Sequence, residues 1–250
     1  MARSSGKQAA DGNLSGFLSA ARSQSGGDRW HAQIAAIALR YNKEFQREPF
    51  DLPDEVKAMP VYEEWQAGLL AAKLASPFWE LLKPKKNQRL LDLGCGVSFL
   101  IYPWREWDAY FYGQDISDFA CNTLNSRGSQ LNSKLFKGAV VAPAHTLDYG
   151  DLQFDGAIAT GFSCYYPLEY WQEVMQAVRA VLKPEGVFVF DVLNPNAPLS
   201  ENWAILETYL GAEVNLDSLD DWKALIKQSQ GKIVRQKAGE LFHMFKIQFQ

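Results

Sequence analysis

Two carboxylates and two glycines stand in positions where they could do chemistry together. Leu90-Leu91-Asp92-Leu93-Gly94-Cys95-Gly96 is an apolar run closed by an acid and a Gly-x-Gly turn. Glycines in such a turn let the chain reverse sharply, and let a ligand approach the backbone without meeting a Cβ. Asp115 ends the next apolar run, Tyr110-Phe111-Tyr112-Gly113-Gln114, at about the 20-residue spacing of an acid that grips ribose hydroxyls. A carboxylate there can accept two hydrogen bonds from a vicinal diol, so the motifs together describe a site for a nucleoside-containing ligand. Taken singly, Asp115 reads as an acid favoured by the dipole of a helix N-terminus.

These residues need elements to position them. From Gln88 onward, short apolar runs ending in Gly or Asp alternate with helical segments, the pattern of a parallel sheet with crossover helices. Strands are expected at Arg89–Leu93, Ala109–Gly113, Gly138–Ala142, Gly156–Thr160 and Val187–Val192, with helices over Asp118–Arg127 and Leu168–Leu182. A helix near Leu199–Leu210, a short strand at Glu213–Leu216, a helix at Leu219–Gln228 and a strand or hairpin between Lys232 and Phe249 follow. The fold class is therefore α/β, a doubly wound Rossmann-like sheet whose ligands bind at the carboxyl ends of the strands. Ahead of it, Asp28 can cap a helix running to Phe45, in which Trp30, Ile34, Ile37, Tyr41 and Phe45 share one face. The Pro-rich segment 47–60 reads as a connection with at most a short turn of helix. A second helix is expected over Val61–Ala75 and a final turn over Phe78–Leu82. The expected organisation is a Ser/Gly-rich disordered tail over 1–27, a helical extension over 28–84 and the α/β domain over 85–250.

At this level the chain resembles the class I S-adenosylmethionine-dependent methyltransferases, most fully over residues 85–195. Asp92-Leu93-Gly94-Cys95-Gly96 is similar to the family's first motif, and Gly113-Gln114-Asp115-Ile116-Ser117 to its second. Phe154-Asp155-Gly156-Ala157-Ile158 resembles the entry to its fourth strand, and Val181-Leu182-Lys183-Pro184-Glu185-Gly186 the turn into its fifth. The resemblance implies an enzyme using S-adenosylmethionine, an antiparallel last strand, and a cofactor site formed by Asp92, Gly94, Cys95, Gly96, Asp115, Ile116, Ala144, Thr160 and Phe162. Asp115 would hold ribose and Ile116 would wall the adenine. Ser98 stands where the family has a third glycine, Pro103 shortens the first helix, and Ala142-Pro143 replaces the usual Gly-Asp pair. Ala144 or His145 would then meet the adenine amino group.

Methyl transfer asks mainly that a nucleophile be held in line with the methyl group and water excluded. Accordingly no catalytic dyad stands out. His145, Asp148, Tyr165 and Tyr166 are the candidates for orienting or deprotonating an acceptor. Each has a plainer reading as a surface or packing residue. Tyr62 and Trp65, one turn apart, could close a lid over the site.

The chain has 250 residues and a formal net charge of -4, a balance that weighs against nucleic acid and anionic membranes as partners. It is 47% hydrophobic and 13% aromatic, enough for one sizeable core, and the aromatic segment Phe162–Trp171 favours a small-molecule acceptor with an apolar body. Its three cysteines are scattered and its three histidines lack metal-ligand spacing, so neither a disulfide framework nor a metal site is expected. The absence of an apolar signal or spanning run points to the cytoplasm, although the acid-poor first 27 residues loosely resemble a transit peptide. Two other functions compete. A nicotinamide-dependent oxidoreductase shares the Gly-x-Gly-then-acid pattern, but its third glycine would fall at Phe99. A catalytically degenerate binding subunit of the same fold would have no need of Asp92, Gly94, Gly96 and Asp115.

Overall fold

A computed structural model describes residues 29–250, so the expected cap at Asp28 and the tail over 1–27 lie outside the described residues. The strands are β1 (Arg89–Leu93), β2 (Tyr110–Asp115), β3 (Phe136–Val141), β4 (Phe154–Ala159), β5 (Leu182–Leu193), β6 (Gly231–Ala238) and β7 (Phe242–Phe249). They form one sheet in the order β3-β2-β1-β4-β5-β7-β6. The first five run parallel, while β7 is antiparallel to both β5 and β6. The strand order reverses at β1/β4, which opens a crevice at the carboxyl ends of those two strands.

Strand periodicity decides what lies on each face. Leu91, Leu93, Ala157, Ala159, Phe188 and Phe190 point to one core, while Leu90, Ile158 and Val189 point to the other. The first core is covered by α9 (Leu168–Val181), α10 (Ser200–Leu210) and α11 (Leu219–Gln228). In α9, Tyr170, Trp171, Val174, Met175, Val178 and Val181 recur at helical spacing and are all buried. The second core is covered by α5 (Trp79–Leu82), α6 (Ser98–Ile101), α7 (Trp104–Trp107) and α8 (Asp118–Asn132). Ser117 caps α8 by accepting from Ala120 N–H, and Ser218 and Asp221 form a capping box on α11.

The N-terminal helices α1 (His31–Phe45), α2 (Asp54–Lys57), α3 (Pro60–Gln66) and α4 (Leu69–Leu74) join the first core through Ile37, Val56, Val61 and Leu70, as does Leu52 in the connection after α1. The helix expected over Val61–Ala75 is broken in two at Gly68, whose φ of 70° is left-handed. Other expectations change as well, α8 running five residues past the expected Arg127 to Asn132 and β3 starting at Phe136. Glu213–Leu216 forms no strand, because β7 already occupies the place beside β5; Asn215 N–H instead donates to Cys164 O at 2.7 Å. β5 begins at Leu182, five residues before the expected start, and its register against β4 slips between Phe154 and Gly156. That slip accommodates Lys183-Pro184-Glu185-Gly186.

Candidate active site

The Gly-x-Gly turn follows β1 directly. Gly94 and Gly96 have φ of 62° and 46°, and a Cβ on Gly94 would lie 2.5 Å from the Phe162 ring. Only glycine holds this turn without strain, and the backbone is left bare toward the crevice. Asp115 ends β2 beside it. Its Oδ2 accepts Gly96 N–H at 2.7 Å and its Oδ1 accepts Ser117 N–H at 2.7 Å. A carboxylate has about four acceptor sites, so Asp115 keeps acceptor capacity for a further donor. Burial pushes the Asp115 pKa up, opposed by the backbone N–H groups of Ser117, Gly96 and Ile116.

These residues border a cavity of about 170 Å³ at the carboxyl edge of the sheet. Ile116, Ala142 and Ala144 form one wall, and Thr160, Gly161 and Phe162 another. α1 contributes Ile37, Tyr41 and Phe45, and Tyr166 and Tyr170 complete the lining. Phe162 is held by stacking on Trp171 at 5.2 Å, and Trp171 in turn donates its indole N–H to Ser163 O at 2.9 Å. α1 is pinned to the edge of the sheet by several polar contacts. Asn42 donates to Asp118 at 2.8 Å and accepts from the Ser117 hydroxyl at 2.6 Å, and Gln33 donates to Tyr165 O at 2.6 Å.

A second cavity of about 250 Å³ borders the first at Tyr41, Thr160 and Gly161. Trp65, Tyr102, Trp203 and Phe242 supply much of its apolar lining. Its polar lining is a buried network. Arg40 pairs with Glu207 at 2.8 Å and with the half-exposed Glu44. Tyr165 donates to Glu207 at 2.9 Å, and the Tyr41 and Tyr165 hydroxyls lie 2.7 Å apart. Desolvation raises the Glu207 pKa against the opposing charge of Arg40. On the other side, Asp191 accepts from Ser76 Oγ at 2.5 Å and from Gly161 N–H at 2.8 Å, and burial pushes its pKa up to about 6.

Of the residues singled out in the sequence, Gly94, Gly96, Asp115, Ile116, Ala144, Thr160, Phe162 and Tyr166 line the first cavity. Asp92 and Cys95 do not. Asp92 is buried under the turn, where it accepts from Ser98 Oγ at 2.5 Å, and burial pushes its pKa up to about 7. Ser98, the departure from a third glycine, is thus the partner of Asp92. Cys95 packs into the second core, where its Sγ would lie 2.9 Å from a Cβ on Gly113. Tyr165 lines the second cavity. His145 and Asp148 border neither cavity: His145 packs edge-on against Tyr170 at 5.1 Å, and Asp148 is exposed. Trp65 lines the second cavity, whereas Tyr62 packs tilted against it and borders neither.

Sequence reasoning did not single out Arg40, Glu207 or Asp191. The signal was present for Asp191, the one charge in the run Val187-Phe188-Val189-Phe190-Asp191-Val192-Leu193. A carboxylate at the end of a buried strand is costly without partners. Arg40 and Glu207 are 167 residues apart and only the fold joins them.

Comparison with known proteins agrees with this geometry. Residues 91–190 match the methyltransferase domain family model. A 24-methylenesterol C-methyltransferase 2 from Oryza sativa subsp. japonica is 30% identical over 114 residues, which are 44% of this chain and 30% of that protein. The chain thus spans about a third of that curated relative's length. Magnesium protoporphyrin IX methyltransferase from Synechocystis PCC 6803, solved with bound SAM, superposes with a TM-score of 0.61 at 14% identity, covering 91% of this chain and all of that one. A Burkholderia thailandensis 1,6-didemethyltoxoflavin-N1-methyltransferase, solved with that compound and S-adenosylhomocysteine, gives 0.56 at 16% identity over 81% and 92%. Residues 91–190 thus form a methyltransferase domain, and the sheet that carries them has the Rossmann-like fold of methyltransferases solved with SAM or S-adenosylhomocysteine.

Proposed function

We propose that this protein transfers the methyl group of S-adenosylmethionine to a nucleophile on a small-molecule acceptor. The observation that carries the reading is the pair of cavities meeting at Tyr41, Thr160 and Gly161 on the carboxyl edge of the sheet. The first has the features a nucleoside needs. Asp115 offers its remaining acceptor capacity to a ribose hydroxyl, Gly94 and Gly96 present bare backbone, and Ile116 and Phe45 offer apolar walls for a base. When bound, the cofactor supplies a sulfonium methyl that is already a strong electrophile. The chain's own residues then have to align and exclude water. α1 roofs the first cavity with Ile37, Tyr41 and Phe45, and the second holds the acceptor against the shared border.

The N-terminal helices serve in this reading as a lid on the domain that begins near residue 85, with Tyr41 and Phe45 as its closing residues. The net charge of -4 and the aromatic second cavity favour a small molecule over nucleic acid. No helix among the described residues is long and apolar enough to cross a membrane. Cys95, Cys121 and Cys164 are buried free thiols, which suits a reducing compartment such as the cytoplasm. The test is incubation with methyl-labelled S-adenosylmethionine and, in parallel, a low-molecular-mass cell extract, total RNA and total protein. Label is expected in the low-mass fraction alone. Label confined to RNA or protein, or none anywhere, would overturn the acceptor class proposed here.

A further inference from the structure

Asp191 is a buried carboxylate without a counter-ion. It is 1% exposed, and its hydrogen-bond donors, the Ser76 hydroxyl and the Gly161 N–H, are both neutral. No cationic side chain among the described residues pairs with it or offsets its charge. An ionised carboxylate removed from water and left unpaired is costly, so such groups are ordinarily matched by a cation. Asp191 does not face packed side chains alone; it borders the second cavity, close to the first.

The remainder of that cavity cannot supply the missing charge. Its one cation, Arg40, is already shared by Glu207 and Glu44. The lining therefore holds one positive charge against three carboxylates, those of Glu44, Asp191 and Glu207. Around them stand the rings of Tyr41, Trp65, Tyr102, Tyr165, Trp203 and Phe242. Aromatic faces attract cations and offer apolar area, while an anionic ligand would meet like charge in a medium that screens it poorly.

We infer that the second cavity takes the cationic head, a protonated or quaternary amine, of a small molecule with an apolar body, and that Asp191 is its counter-ion. This rests on the reading of that cavity as the acceptor chamber. A purely structural Asp191, tying the end of β4 to Ser76, would affect stability but would not discriminate among ligands by charge.

The experiment is calorimetric titration of the full chain, first with S-adenosylhomocysteine and then, with and without it, with four probes of similar size. These are benzyltrimethylammonium, phenethylamine, 2-phenylethanol and phenylacetate. The two cations are expected to bind about ten-fold or more tightly than the alcohol or the carboxylate. Asp191→Asn should lower cation affinity about ten-fold and change alcohol affinity by less than about three-fold. The wild-type comparison decides the matter by itself should the variant fail to fold. Phenylacetate binding as tightly as phenethylamine, no probe binding at about 10 mM, or an undiminished cation preference in Asp191→Asn would overturn the inference. Failure of S-adenosylhomocysteine to bind while the cation preference persists would sink the donor reading and leave this one standing. The opposite pattern would sink this one alone.

Discussion

At the scale of single residues, three buried acids divide the work by their partners. Asp115 is held by backbone donors at a cavity and keeps acceptor capacity there, which suits it to a ribose hydroxyl. Asp92 accepts from Ser98 beneath the turn and holds the loop that presents Gly94. Asp191 stands at the border of the two cavities. Burial raises the pKa of Asp92 to about 7 and of Asp191 to about 6, both from 3.8. A carboxyl whose folded pKa lies above its unfolded value binds more protons in the folded state between the two. Its stabilising contribution is full below the unfolded pKa and is lost as pH rises through the folded one. Stability of the ligand-free protein should therefore fall between about pH 4 and pH 7, and urea denaturation across that range measures it. Asp191→Asn removes part of that slope and should gain stability relative to wild type as pH rises; an unchanged slope would count against Asp191 as a titrating group. Gly94→Ala places a Cβ 2.5 Å from Phe162 on a backbone with φ of 62°. It should cost about 1–2 kcal/mol of stability and at least about ten-fold in S-adenosylhomocysteine affinity, read by denaturation and calorimetry respectively.

At the scale of elements, α1 is the part whose placement matters most for the site. It carries residues of both cavities, and its ion pair with α10 is buried, with side-chain exposures of 2% for Arg40 and 4% for Glu207. Removing one partner strands the other, so Arg40→Leu or Glu207→Leu alone should cost about 3–5 kcal/mol. The double variant Arg40→Leu/Glu207→Leu should recover much of that, and a double-mutant cycle in urea measures the coupling. Additive losses would mean that the pair does not act as a unit. Much of this architecture was legible in the sequence. The periodic runs at Arg89–Leu93 and Leu219–Gln228 match their elements residue for residue, and the shared face of Ile34, Ile37 and Tyr41 does pack on the first core. What the sequence hid depends on contacts distant along the chain. Nothing local marks Glu213–Leu216 as unpaired, since that follows from β7 taking the neighbouring place. Part of the first cavity was legible as motif, through Gly94, Gly96 and Asp115. The roof from α1 and the Arg40–Glu207–Tyr165 network were not, because charge pairing across 167 residues leaves no local pattern.

At the scale of the whole molecule, one face of the α/β sheet and the N-terminal helices share the first hydrophobic core, with α1 lining both cavities. Ligand binding should therefore be felt beyond the site. Saturation with S-adenosylhomocysteine at about 100 times its Kd should add about 2.7 kcal/mol to unfolding stability and slow amide exchange along His31–Phe45. Exchange that slowed only around residues 94–116 would show that α1 plays no part in closure. The most direct test of the central claim is calorimetric titration of S-adenosylhomocysteine into wild type and Asp115→Asn, with melting of each protein recorded without ligand. The isosteric variant keeps the size of the side chain while halving its acceptor oxygens. The account predicts micromolar binding by wild type and at least about ten-fold weaker binding by a variant that still melts cooperatively. No binding by wild type, or equal affinity in both proteins, would contradict it.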